Sequence, residues 1–205
     1  MSGRGRLIVF EGGEGSGKST QAALLAQHLG ALLTREPGGT LLGERLREVY
    51  LDPAVGEVSA RAELLVVNAA RAQHVSERIL PALESGRDVV CDRFIGSTIA
   101  YQGYGRGLPL EDVLVACELA TAGVQADLTI LLDVDPELGR RRREGAARDR
   151  IEAEDAAFHA RVVEGFRELA AADPKRWVRV EGSGTVEEVE KEVLAALGER
   201  LGVQP

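Results

Sequence analysis

Lysine is nearly missing from this sequence. Only Lys18, Lys175 and Lys191 stand among 25 basic residues, and the rest are arginine. Asparagine occurs once, at Asn68, so no Asn-Lys-x-Asp guanine-reading motif can exist and a base-specific GTPase is excluded. The two cysteines, Cys91 and Cys117, form neither a CxxC nor a metal-type pair. They read as reduced thiols, and the 205-residue chain is long enough to bury a core without disulfide or structural metal. Histidine occurs at positions 28, 74 and 159 without ligand spacing, so all three are expected to be structural or surface residues. No apolar run exceeds that of Val113–Cys117, against the roughly 20 residues of a membrane helix. Leu7–Phe10, behind a polar and basic start, is too short for a signal sequence. The expected protein is cytoplasmic and not membrane-bound. Its formal net charge of −8 argues against a nucleic-acid partner.

Short apolar β-type runs alternate with helical periodicity from end to end, without repeats or a long linker. Strands are expected at Leu7–Phe10, Leu32–Thr34, Asp88–Cys91, Leu128–Asp133 and Trp177–Val180. Between them the spacing predicts helices over Ser19–Leu29, Leu41–Tyr50, Ser59 to about Leu80, Leu110–Thr121 and Glu154–Ala172. Pro81 is expected to disturb the end of the third, and a helix from about Thr98 to run into a Gly-rich loop at Gly103–Gly107. Asp135-Pro136 caps another helix, and Thr185 with Glu188 makes a capping box for the last. Residues 140–152 are strongly basic and poor in apolar side chains. The expected fold is α/β: one domain over residues 1–205, a doubly wound parallel β-sheet of the P-loop NTPase type flanked by helices, with residues 140–152 as an Arg-rich lid.

Gly12, Gly13, Glu14, Gly15, Ser16, Gly17, Lys18 and Ser19 fit GxxxxGK[ST] in full, between an expected strand and an expected helix. Glycines there let successive backbone N–H groups turn inward around phosphates, and the helix N-terminus adds positive charge. Lys18 is placed to reach the β- and γ-phosphates and Ser19 to offer its hydroxyl to Mg²⁺. The loop alone does not separate motors, switches and kinases. The chain is short for a motor, so a small phosphoryl-transfer enzyme fits best. Such an enzyme needs several arginines around the transferring phosphoryl group and a carboxylate near Mg²⁺.

Five segments carry a closer likeness: Phe10–Thr20, Thr34–Thr40 (TREPGGT), Asp92-Arg93, Ala100–Gly103 (AYQG) and Asp149–Glu152. In order and content they resemble bacterial thymidylate kinases. The resemblance implies ATP-dependent, Mg²⁺-dependent phosphorylation of thymidine monophosphate (dTMP) by a homodimer. It implies ATP contacts from Gly12 through Thr20, Mg²⁺ near Ser19, Asp92 and Glu14, and an acceptor phosphate held by Arg35 and Arg93. It places Arg71, Thr98 and Gln102 at the pyrimidine and Tyr101 against the deoxyribose, with Glu14 at the sugar or the Mg²⁺ water shell. Lys18, Asp92 and Arg93 are implied in catalysis, and so is a lid arginine, Arg143 first and Arg150 next. Relatives carry phenylalanine where this chain has Val67, which shares a helix face with Arg71 and would cover the base without stacking. Two alternatives stand beside this reading: a kinase of another deoxynucleotide, and a nucleotide-binding regulatory or nucleic-acid-associated protein using Arg140–Arg143.

Overall fold

A computed structural model describes residues 3–145 and 147–202. Among these, five strands form one parallel sheet: β1 (Leu7–Glu11), β2 (Leu32–Arg35), β3 (Val89–Asp92), β4 (Leu128–Asp133) and β5 (Trp177–Glu181), in the order β2-β3-β1-β4-β5. The central strand is buried on both faces, as a continuous apolar run requires of a parallel strand. Ile8 and Phe10 point to one side, where α1 (Lys18–Leu29) and α9 (Val186–Leu201) pack on them through Leu25, Val193 and Leu197. Leu7 and Val9 point to the other side and meet Val75, Ile79 and Leu83. Helices therefore cover both faces of the sheet.

Further helices are α2 (Leu41–Leu51), α3 (Ala60–His74), α4 (Leu80–Glu84), α5 (Ile95–Thr98), α6 (Leu110–Thr121), α7 (Pro136–Arg142) and α8 (Ala156–Ala172). Their caps follow the sequence. Ser59 accepts from the Ala62 N–H, Asp135 from Glu137 and Leu138, and Thr185 closes a full capping box with Glu188. Two stretches differ from expectation. After His74 the helical path widens into a π turn, Val75–Ile79, and continues as α4; the widened turn accommodates Pro81, which lacks an N–H. The residues after Thr98 form a second π turn, Ile99–Gly105, instead of a helix and an open loop. The second of these lines the cleft described below through Tyr101 and Gln102, whereas Val75 and Ile79 of the first pack in the core beneath the sheet.

From β1 the chain crosses to β2 and β3 on one side of the sheet and later to β4 and β5 on the other. The carboxyl end of β1 is thus the switch point, where doubly wound sheets bind their ligands. The Gly12–Gly17 loop starts there.

Candidate active site

A cleft of about 370 Å³ opens over the carboxyl ends of β1 and β3. Its floor is the glycine loop. Gly12 has φ 145°, and a Cβ there would lie 2.5 Å from the Leu132 carbonyl oxygen, so only glycine lets the loop leave the sheet at this point. Lys18 folds back over the loop, with Nζ donating to the Gly13 carbonyl at 2.6 Å and to Ser16 Oγ at 3.1 Å. Burial, and then the nearby Arg93 guanidinium, bring the Lys18 ammonium down to about 8 against the opposing pull of Glu14, Asp92 and Glu11. Ser19 Oγ donates to Asp92 Oδ2 at 2.5 Å, while Asp92 Oδ1 is buried with no hydrogen-bond partner among the described residues. A hydroxyl and a carboxylate with a spare oxygen are hard donors that suit Mg²⁺. The described residues contain no cluster of three or more His, Cys, Asp or Glu able to cage a metal unaided.

Arg93 follows β3 directly, with φ 70°, a strained backbone for a side chain of its kind. The turn is held from below. Glu11, fully buried at the end of β1, accepts the N–H groups of Phe94 and Ser97 at 2.9 Å each and the Ser97 hydroxyl at 2.6 Å. Arg93 Nη1 donates to Ser97 Oγ and to the Gly12 carbonyl, and Nη2 donates to Glu14 Oε1 at 2.6 Å and Tyr101 Oη at 3.3 Å. The Tyr101 hydroxyl donates to the same Glu14 oxygen at 2.9 Å. Burial pushes the Glu14 carboxyl up, but Arg93, Lys18, the Tyr101 hydroxyl and Arg143 outweigh it and hold it down at about 2. Arg35 and Arg47 line the same side of the cleft. Arg35 is exposed and pairs with Glu44 at 2.8 Å, and Arg47 donates to the Pro37 carbonyl at 3.0 Å. Burial and the neighbouring Arg35 lower the Arg47 guanidinium, a sign of crowded positive charge suited to an incoming anion.

The far end is lined by Val67, Arg71, Thr98 and Gln102, with Tyr50 and Leu51 from α2. Arg71 is 2% exposed, and every nitrogen of its guanidinium already donates to protein. Nε meets Glu36 at 2.7 Å, Nη1 meets Asn68 at 2.7 Å and Cys117 Sγ at 3.6 Å, and Nη2 meets the Phe94 carbonyl at 3.0 Å and Thr98 Oγ1 at 2.8 Å. Gln102 Nε2 donates to Tyr50 Oη at 3.1 Å and Glu63 at 3.4 Å.

The basic segment divides into separate roles. Arg143 lines the cleft, 2.5 Å from Glu152 and 3.8 Å from Glu14. Arg150 does not reach it. Its Nη1 meets the fully buried Glu63 at 2.5 Å, its Nε meets the Tyr50 carbonyl at 3.1 Å, and its guanidinium lies over the Tyr50 ring. Arg142 donates to the carbonyls of Gly15 and Gly182, and Arg140 pairs with Glu137 in solvent. The root of α7 rests on the glycine loop itself. A Cβ on Gly15 would lie 2.2 Å from the Gly139 oxygen, and one on Gly139 would lie 2.3 Å from the Glu14 oxygen.

The structure thus gathers Glu14–Thr20, Arg35, Val67, Arg71, Asp92, Arg93, Thr98, Tyr101, Gln102 and Arg143 around one cleft, sets Gly12 and Gly13 just outside its lining, and leaves Arg150 behind its wall. Sequence reasoning missed Glu11, Glu36, Arg47, Tyr50 and Ser97. For Glu11 a signal existed: an acidic residue closing a four-residue apolar strand faces burial and must find donors.

A switch-point phosphate loop with a second cationic wall facing it defines a P-loop phosphotransferase. Comparison narrows the class. A family model described as Thymidylate kinase matches residues 10–193. The chain is 51% identical over 201 residues to a thymidylate kinase of Synechococcus sp., covering 95% of each, and 52% identical over 180 residues to one of Cutibacterium acnes, covering 85% of this chain and 87% of the relative. The crystal structure of thymidylate kinase from Ehrlichia chaffeensis superposes with a TM-score of 0.79 at 35% identity, over 95% of this chain and 98% of that one. The chain belongs to the thymidylate kinase family.

Proposed function

We propose that the chain transfers the γ-phosphoryl group of ATP to dTMP, giving dTDP and ADP in the synthesis of dTTP. The observation that carries this reading is that Lys18 and Arg93, one at each end of the transfer, line a single cleft. The acceptor phosphate has a second pKa of about 6, so at neutral pH it is mostly a dianion and needs no general base. The task left to the protein is to hold two anions in line and neutralise them. Lys18 and the loop N–H groups take the β- and γ-phosphates, and Arg93, with Arg35 and Arg47, takes the acceptor phosphate. Glu14 keeps Arg93 and Tyr101 aligned, and the loop carries this acid where it could have carried its own arginine. Arg143 brings positive charge to the transferring group from the lid. Ser19 and Asp92 would hold Mg²⁺, with Glu14 at its water shell, and the ion's chemistry is neutralisation of the phosphate oxygens.

Thr98, Gln102 and Arg71 form the polar end for the pyrimidine. A base carbonyl gains an Arg71 N–H most cheaply from the long contact to Cys117. Val67 covers the base, and Tyr101 packs against the deoxyribose. The reading includes a homodimer, supported by the exposed Leu114, Val115 and Leu119 of α6 beside the exposed Leu65 of α3. It also includes a cytoplasmic location: among the described residues no helix is long and apolar enough to cross a membrane. The test is ADP release with a panel of nucleoside monophosphates. dTMP is expected to be the best acceptor, and a higher kcat/KM for dCMP, dUMP or a purine nucleotide would overturn the substrate assignment.

A further inference from the structure

His74 belongs to none of the roles above. It is fully buried, does not line the cleft, and lies one helical turn after Arg71 on the same face of α3. Its two ring nitrogens are both engaged. Nδ1 is 3.0 Å from Glu36 Oε1, and Nε2 is 2.6 Å from Thr34 Oγ1. Glu36 is itself buried, and its other oxygen accepts the Arg71 Nε–H at 2.7 Å. A carboxylate can only accept, so His74 Nδ1 carries a proton and donates it to Glu36. The result is an unbroken chain, Thr34–His74–Glu36–Arg71, running from the end of β2 to the pyrimidine end of the cleft.

The loop after β2 is fitted around this imidazole. A Cβ on Gly39 would lie 2.6 Å from His74 Cδ2 and Nε2 and 2.8 Å from Thr34 Oγ1. Thr34, Glu36 and Gly39 of the TREPGGT segment therefore all meet at His74. The segment's hold on the acceptor through Arg35 and its hold on Arg71 through Glu36 come from one short stretch of chain. Beyond His74 the helix opens into the π turn Val75–Ile79, a local rearrangement that recurs at functional sites.

We propose that His74 is a positioning residue for acceptor binding: it fixes the Glu36 carboxylate, and through it sets the angle at which Arg71 is presented to the pyrimidine. The proposal rests on the dTMP kinase reading. Removing the Nδ1 donor leaves the buried Glu36 with one partner fewer, and Glu36 then turns and takes Arg71 with it. ATP, bound at the other end of the cleft, does not sense the change.

The test uses His74→Gln and His74→Asn in the full chain. Asparagine puts an amide N–H near the place of Nδ1 and keeps the bond to Glu36, whereas glutamine reaches the place of Nε2, keeps Thr34 and loses Glu36. H74Q is expected to raise the KM for dTMP about tenfold or more, with the KM for ATP and kcat changed less than about threefold, and H74N to stay near wild type. Equal behaviour of the two variants, an unchanged dTMP KM in H74Q, or equal rises in both KM values would overturn the proposal. Proton NMR of the wild-type enzyme is the second measurement and requires no variant. A slowly exchanging His74 Nδ1–H resonance that shifts on adding dTMP but not on adding ATP is expected, and its absence or indifference to dTMP overturns the proposal even if H74Q fails to fold. A wild-type enzyme that does not phosphorylate dTMP sinks the functional reading instead, a result the acceptor panel gives before any variant is made.

Discussion

Burial, helped by the Arg93 guanidinium and opposed by Glu14, Asp92 and Glu11, leaves the Lys18 ammonium at about 8, below an ordinary lysine. Triphosphate binding adds negative charge beside it and raises that value. Below about pH 8 the ammonium is protonated both free and bound, so binding exchanges no proton through it. Above that point the free enzyme has lost the proton and must take it back, so ATP affinity falls as pH rises. Titration calorimetry in buffers of different ionisation enthalpy should show close to no proton uptake from Lys18 at about pH 7 and most of one proton at about pH 9. No uptake at the higher pH would mean that Lys18 is not the phosphate ligand. At this scale the sequence was most legible where chemistry demands one residue type at one spacing, as at Lys18, Ser19 and Arg93. It was least legible where a residue acts from behind. Glu36 and His74 are 38 positions apart in the chain and meet only because β2 and α3 fold together. No local pattern reports such a contact. Of the two readings of His74, structural or surface, the structure takes the first: it is fully buried and meets Glu36, which in turn holds Arg71.

The inner strands β1, β3 and β4 were readable because both faces of the sheet are covered there, which makes their apolar runs continuous, while the edge strands β2 and β5 are more open. Helix α3 was readable by its cap and period, but its end was not. Pro81 pointed to a disturbance, whereas the path widens earlier, at Val75–Ile79, and the widened turn accommodates the proline. The lid was legible as composition and not as geometry. Four consecutive arginines, Arg140–Arg143, look alike in sequence, yet one pairs in solvent, one ties down carbonyls and one faces the cleft. The division predicts different phenotypes for the two lid candidates. Arg143→Ala should lower kcat by about two orders of magnitude with little change in melting temperature. Arg150→Ala should do the reverse. It strips one cation from buried Glu63, leaves Arg106 as the other cation on it with Gln102 beside, and costs on the order of 1–3 kcal/mol, read as a melting temperature lower by several degrees. Paired thermal melts and turnover assays check both, and an inactive but fully stable Arg150→Ala would return that residue to the chemistry.

At the scale of the molecule, one group of exposed apolar side chains spans two neighbouring helices. Leu119 is 84% exposed and Val115 71%, both on α6, and Leu65 is 66% exposed on α3. These helices pack on each other, so one face carries the whole patch. Leu119→Glu combined with Val115→Glu is expected to convert a dimer into monomers at micromolar concentration, measured by sedimentation velocity. An unchanged sedimentation coefficient would place association elsewhere or remove it.

The contact between Gly15 and Gly139 has a further consequence. No side chain lies between the phosphate loop and the root of the lid at that point, so nothing there can flex to absorb relative displacement. Loop and α7 meet backbone to backbone, and Arg142 ties the same helix to the Gly15 carbonyl. A methyl group at either position would have to push the two backbones apart, so the fit between loop and helix depends on two residues that have no side chains at all.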